Sequence, residues 1–126
     1  MRSPGHQQHP EHHVSEKRLP QKLRAQIGAD VIAESTDVIE VDEDEHPARY
    51  YFPREAVRMD TLERSETTTH CPFKGDATYF TMKLWDGKVE DVAWSYEHPY
   101  DEHGALAGRI AFDADKIADL QFKTGA

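Results

Sequence analysis

Apolar residues in this chain recur mostly at alternate positions or in short runs bounded by turn residues, a pattern of strands rather than helices. Leu23, Ala25 and Ile27 alternate with polar neighbours, and Gly28-Ala29 supplies a tight turn into Val31-Ile32-Ala33. A short strand is expected at Val38–Val41, followed by an exposed acidic loop, Asp42-Glu43-Asp44-Glu45, closed by His46-Pro47. Ala48–Phe52 is β-prone, and Pro53 ends it because proline cannot donate to a ladder. One helical turn at Arg54–Ala56 precedes an extended Val57-Arg58-Met59. The strongest signal is the pair Ala77–Leu84 and Val89–Tyr96, with a hairpin turn at Asp86-Gly87. A short helix is expected over Glu102–Ala107 and final strands over Arg109–Phe112 and Ile117–Phe122, with helix as the alternative over Asp115–Leu120. The fold class is all-β, mainly antiparallel, with one or two short helices.

The hairpin register carries a consequence. A two-residue Asp86-Gly87 loop pairs Leu84 with Val89, Lys83 with Glu90, Phe80 with Ala93 and Tyr79 with Trp94. It also sets Asp91 opposite Met82 on the apolar face. A buried carboxylate without a partner is costly, so a bulge that turns Asp91 outward is expected, in preference to a partly polar cavity.

Composition divides the 126 residues unevenly. Residues 1–21 hold only Met1, Val14 and Leu19 as clearly apolar side chains, beside four histidines and three prolines. Such a segment buries too little surface to offset its ordering entropy, so a disordered His-rich tail is expected there. All twelve aromatic residues fall between Tyr50 and Phe122, so residues 22–126 are expected to form a single β domain. The net charge is −9, which disfavours nucleic acid, whose affinity comes mainly from Lys and Arg. No apolar run approaches the ~20 residues of a membrane span, and no secretory signal is visible. The single cysteine, Cys71, excludes an intramolecular disulfide framework and a multi-cysteine zinc site. The expectation is a cytoplasmic, acidic domain with no cofactor, no bound metal and no membrane or nucleic-acid partner.

Chemistry concentrates in Thr67-Thr68-Thr69-His70-Cys71-Pro72-Phe73-Lys74-Gly75-Asp76, which Pro72 and Gly75 shape into a loop. His70 and Cys71 are adjacent, and adjacent residues of an extended chain point to opposite sides, so they do not form a nucleophile–base pair. Cys71 reads as a small hydrophobe, and a catalytic role needs a base from elsewhere, such as His46 or His98. His70 is read as a loop histidine bonded to backbone or as a ligand group. Lys74 is read as solvated or as facing a substrate anion. Arg54 either clamps a carboxylate or phosphate or pairs with an acid of this acidic domain. Trp94 and Tyr96 share a strand face that is either core or the wall of an apolar pocket. Phosphate-cradling Gly-x-x-x-x-Gly-Lys-[Ser/Thr] and Gly-x-Gly-x-x-Gly motifs are absent.

Tyr50-Tyr51-Phe52-Pro53-Arg54-Glu55-x-Val57-Arg58-Met59-Asp60, then Thr69–Asp76, then Ala93-Trp94-Ser95-Tyr96 together resemble the bacterial and fungal family catalogued as domain of unknown function 427. The resemblance covers about residues 22–122 and implies a compact all-β domain, similar to the tent-like β folds of some zinc-bearing modules. The zinc cysteines of those modules are missing here. The family also carries a nucleotidyltransferase label, which calls for Gly-Ser followed by Asp-x-Asp. This chain has Asp42-x-Asp44 and Asp113-x-Asp115 but no Gly-Ser. The leading expectation is a small-molecule-binding β domain, with enzyme action left open. Its pocket would be lined by Tyr51, Arg54, His70, Cys71, Lys74, Trp94 and Tyr96, with Arg54, His70 and Lys74 converging on an anionic or carbonyl-bearing ligand. A non-catalytic protein-interaction module comes second and a metal-assisted transferase third.

Overall fold

The computed structural model describes residues 1–84, 87–117 and 119–125. Among them, a short helix α1 (Pro4–Gln8) is followed by strands β1 (Val14–Arg18), β2 (Lys22–Ile27), β3 (Asp30–Ser35), β4 (Ile39–Glu43) and β5 (Arg49–Tyr51). Two 3-10 turns at Arg54–Ala56 and Met59–Thr61 lead into β6 (Leu62–Cys71), β7 (Gly75–Leu84) and β8 (Gly87–Tyr96). A third 3-10 segment, Asp101–Leu106, precedes β9 (Ala111–Phe112) and β10 (Leu120–Gly125). The strands form three antiparallel sheets, ordered β1-β4-β5, β10-β2-β3 and β6-β7-β8-β9. No helix among the described residues is long and apolar enough to cross a membrane.

The β6–β9 sheet is the common wall of two apolar clusters. Phe80, Met82, Val92 and Ala93 pack with Leu23 and Ala25 of β2 and Ile32 and Ala33 of β3. Further along β7 and β8, Ala77 and Tyr96 pack with Ile39 and Val41 of β4 and Tyr51 of β5. Phe52 and Ile110 exchange backbone hydrogen bonds of 2.9 Å and tie the two regions together. The β2–β3 hairpin turns at Gly28, whose φ of +57° suits a residue without a Cβ. At Ala25/Gln26 the register shifts by one residue, leaving Ile32 and Ala33 consecutively buried.

Several expectations are corrected. The Thr67–Asp76 segment is not a free loop: Thr67–Cys71 complete β6 and Gly75-Asp76 open β7, leaving only residues 72–74 as the turn. Asp42 and Glu43 belong to β4 rather than to an exposed loop, because the alternation Ile39, Val41, Glu43 continues. Residues 1–21, expected to be disordered, carry α1 and β1. Polar contacts hold them in place: the β1–β4 ladder, the Lys17–Glu40 ion pair at 3.2 Å, and a buried Ser3 whose Oγ donates to the Pro72 carbonyl at 2.7 Å. An apolar pattern does not register such contacts.

In the β7–β8 hairpin, Phe80↔Ala93 and Tyr79↔Trp94 pair as expected, but Met82 faces Val89 and Lys83 faces Lys88. The difference is a bulge between Phe80 and Met82, where β8 spends two extra residues. Asp91 sits in it with φ +52°, its carboxylate accepting from Ser65 Oγ and Thr67 Oγ1, each at 2.6 Å. The bulge therefore takes the acid off the apolar face. Asp86 of the expected turn and Ala118 of the expected final strand lie outside the described residues.

Candidate functional site

Where β4, β5, β7 and β8 meet the β6–β7 turn, they enclose a cleft of about 490 Å³. Its floor is aromatic. Trp94 and Tyr96 lie two residues apart on β8 and so share a face, opposite Tyr51 of β5. Trp94 Nε1 donates to the Tyr51 hydroxyl at 2.9 Å, and the Tyr51 ring lies 6.4 Å from Trp94 and 6.3 Å from Tyr96. Tyr79, paired with Trp94 across the β7–β8 ladder, extends this floor. Burial pushes the Tyr51 phenol well above its ordinary pKa despite the opposing Trp94 hydrogen bond. Burial does the same to Tyr96, reinforced by Tyr51 and Cys71. Both phenols therefore stay protonated and available to donate.

Two cations stand over the aromatic floor, each already partnered. Lys74, only 6% exposed, places Nζ 2.6 Å from Glu43 Oε1 and 5.8 Å from the Tyr96 ring centroid. The Arg49 guanidinium lies 5.3 Å from the Trp94 ring centroid and 3.8 Å from Asp113. Glu43 also accepts from His12 Nε2 at 2.9 Å. Burial pushes the Glu43 carboxyl up, but the hydrogen bonds from Lys74 and His12 outweigh it and hold the group below its ordinary value. At neutral pH the cleft thus holds a carboxylate that satisfies its buried ammonium, and an incoming anion would compete for the same Nζ.

Of the seven side chains singled out in the sequence, Tyr51, His70, Cys71, Lys74, Trp94 and Tyr96 line this cleft. His70 sits exposed at the rim, with Nδ1 2.7 Å from Asp76 Oδ1, and Cys71 is half-buried against the Tyr51–Tyr96 cluster. The two do not hydrogen-bond each other, as their alternation on β6 requires. Arg54 is elsewhere, so the expected convergence of Arg54, His70 and Lys74 is corrected. Its Nη2 donates to Glu97 Oε1 at 2.6 Å and Ser95 Oγ at 3.2 Å, and its Nε to the Gly108 carbonyl at 3.0 Å. Ser95 and Glu97 alternate with Trp94 and Tyr96, which puts Arg54 on the opposite face of β8.

Sequence reasoning missed Arg49, Tyr79 and Glu43. Each lies two residues from a position with a clear facing: Arg49 from Tyr51, Tyr79 from Ala77, and Glu43 from Val41. Extending the period of two by one step would have found them.

The family model described as Domain of unknown function (DUF427) matches residues 16–122. The chain belongs to this family. The DUF427 match opens within β1, so α1 and the residues leading to β1 lie outside it, while every cleft residue named above except His12 lies inside. No curated protein matches the chain. As for the phosphoryl-transfer label attached to DUF427, no three His, Cys, Asp or Glu side chains among the described residues gather to hold one ion. Asp44 instead accepts from the His13 backbone at 2.8 Å, and Asp113 faces Arg49.

Proposed function

We propose that this chain is a cytoplasmic small-molecule-binding β domain, whose cleft takes a small anionic or carbonyl-bearing ligand. The observation that carries this reading is the convergence of Tyr51, His70, Cys71, Lys74, Trp94 and Tyr96 on a single aromatic-floored cleft. Its volume falls within the range of small-molecule sites, which are mostly apolar with a few placed polar groups. Lys74 supplies the charge for an anion, displacing Glu43. The protonated Tyr51 and Tyr96 supply neutral donors for a carbonyl, and Trp94 and Tyr79 supply flat apolar contact. The interaction-module alternative needs a flat apolar patch, whereas Met1 is the one large apolar side chain standing exposed among the described residues.

The test is a titration of the ¹⁵N-labelled protein with benzoate, pyruvate and inorganic phosphate, following the Trp94 indole N–H that bonds Tyr51. A saturable shift is expected with at least one of these probes. Lys74→Met, which keeps the stem and removes the charge, should weaken that binding about tenfold or more, the worth of a charge-assisted hydrogen bond. The reading fails if no probe gives a saturable Trp94 shift up to about 20 mM, where a millimolar site is filled. It also fails if Lys74→Met binds as the native chain does.

A further inference from the structure

We infer that residues 3–12 form a pH-released strap over the β6–β7 turn, docked while at least one of His6 and His103 is neutral and freed when both are protonated. Its importance for ligand uptake rests on the cleft reading above, because the turn it grips carries Lys74.

The strap is attached through backbone, side-chain and aromatic contacts. The Gly5 amide donates to the Pro72 carbonyl at 2.8 Å, and the approach is so close that a Cβ on Gly5 would stand 2.7 Å from that oxygen. Ser3 Oγ donates to the same carbonyl at 2.7 Å, while the Ser3 amide donates to Glu102 at 2.8 Å. Phe73, next to Lys74, is held between imidazoles: His12 stacks on it with centroids 4.4 Å apart, and His6 meets it edge-on at 5.0 Å.

A further attachment depends on protons. His6 Nε2 lies 2.9 Å from His103 Nε2, and His103 Nδ1 lies 2.5 Å from Glu16 Oε2. The carboxylate keeps the proton on His103 Nδ1. Only one proton can then occupy the Nε2···Nε2 line, donated by either ring to the other. If both rings are imidazolium, two N–H groups and two like charges face each other at that distance, in a site where His103 is buried.

The surrounding charges divide. Burial, His103 and His12 lower the pKa of His6, whereas Glu102 on the Asp101–Leu106 segment and Glu43 on β4 raise it, and the balance lies below the ordinary value. Docked His6 thus favours its neutral form. Docking is at full strength above the free imidazole value of about 6.5 and weakens as pH falls below it. Release also withdraws His12 from Glu43, loosening the group that holds Lys74.

Hydrogen exchange read by mass spectrometry on the full chain tests this without any ligand, in buffer containing a chelator. Between about pH 7.5 and pH 5, after correction for intrinsic rates, exchange of the strap peptides should speed up about tenfold or more relative to the β7 peptides. His6→Gln and His103→Asn should each abolish this pH response, leaving the strap docked or released equally at both values. The inference is overturned if native strap protection is the same at both pH values, or if the folded variants respond as the native chain does. Should one variant fail to fold, the other decides. The titration of Trp94 is independent: a strap response without probe binding removes the cleft reading alone, and probe binding without a strap response removes the strap alone.

Discussion

Glu43→Gln keeps the shape of the side chain and one carbonyl acceptor for Lys74 while removing the charge between Lys74 and His12. The Lys74 and Glu43 side chains are only 8% and 14% exposed, which places the pair in the buried regime. Removing one partner of a buried ion pair costs roughly 3–5 kcal/mol. The retained amide acceptor and the open mouth of the cleft reduce this to about 2 kcal/mol. In a chain of this length ~1 kcal/mol moves Tm by about 4 °C, so thermal unfolding followed by circular dichroism at pH 7 should show a loss of about 8 °C. The Glu43 carboxyl is held below its ordinary value, so its contribution is present above about pH 4.3 and is lost as pH falls through the lower folded value. The gap between native and variant chains should therefore narrow toward pH 3. Adding Lys74→Met to Glu43→Gln removes the orphaned ammonium and should recover most of the loss. Benzoate, acting as a replacement carboxylate, should raise the Tm of Glu43→Gln more than that of the native chain. A loss of under about 2 °C at pH 7 would show that the pair contributes little to the folded state, and a loss that persists undiminished at low pH would show that it does not come from the carboxylate charge.

Two further outcomes follow from Arg54 and Asp91. Arg54→Ala removes bonds to Glu97, Ser95 and the Gly108 carbonyl and should cost about 1–2 kcal/mol in urea unfolding, a modest value because the pair is partly exposed. It should leave the benzoate response of Trp94 unchanged, and a weakening like that of Lys74→Met would place Arg54 back in the site. Asp91→Gly loses the Ser65 and Thr67 hydrogen bonds but keeps a relaxed backbone at φ +52°, whereas Asp91→Ala loses both. Ala should be less stable than Gly by about 1 kcal/mol in the same assay, and equal values would argue against strain at the bulge.

The parts of the fold legible in the sequence were those where one face of a strand is buried. β2, β3, β7 and β8 announce themselves because Leu23, Ala25, Phe80 and Met82 must alternate with polar residues to fill one core. β6 does not. As an edge strand, Leu62–Cys71 is exposed along most of its length, and its threonines speak for β structure only through their branching. The docking of residues 1–21 was invisible for a related reason: Ser3, His6, His12 and Glu16 find partners about thirty to a hundred residues away, through polar contacts that leave no local period. In the site, the aromatic floor was readable from Trp94-Ser95-Tyr96 and Tyr50-Tyr51. The placement of Arg54 was not, because the face of β8 it would choose depends on where Gly108 and Glu97 come to lie.

The two irregularities beside β7 come as a matched set. Against Phe80–Thr78, β6 runs from Arg64 to Thr68, and against Phe80–Met82, β8 runs from Ala93 back to Val89, so each neighbour spends two residues more than β7 does. Two is an even number, and a strand alternates its faces with period two. Each arch therefore lengthens its strand without turning it over, and Trp94 and Tyr96 keep their side whether or not the arch is present. A single extra residue has the other result, as Ile32 and Ala33 show by being buried in succession. The rim of the cleft can thus be reshaped in steps of two residues while its floor stays in place, and a step of one beside β7 would turn the floor outward.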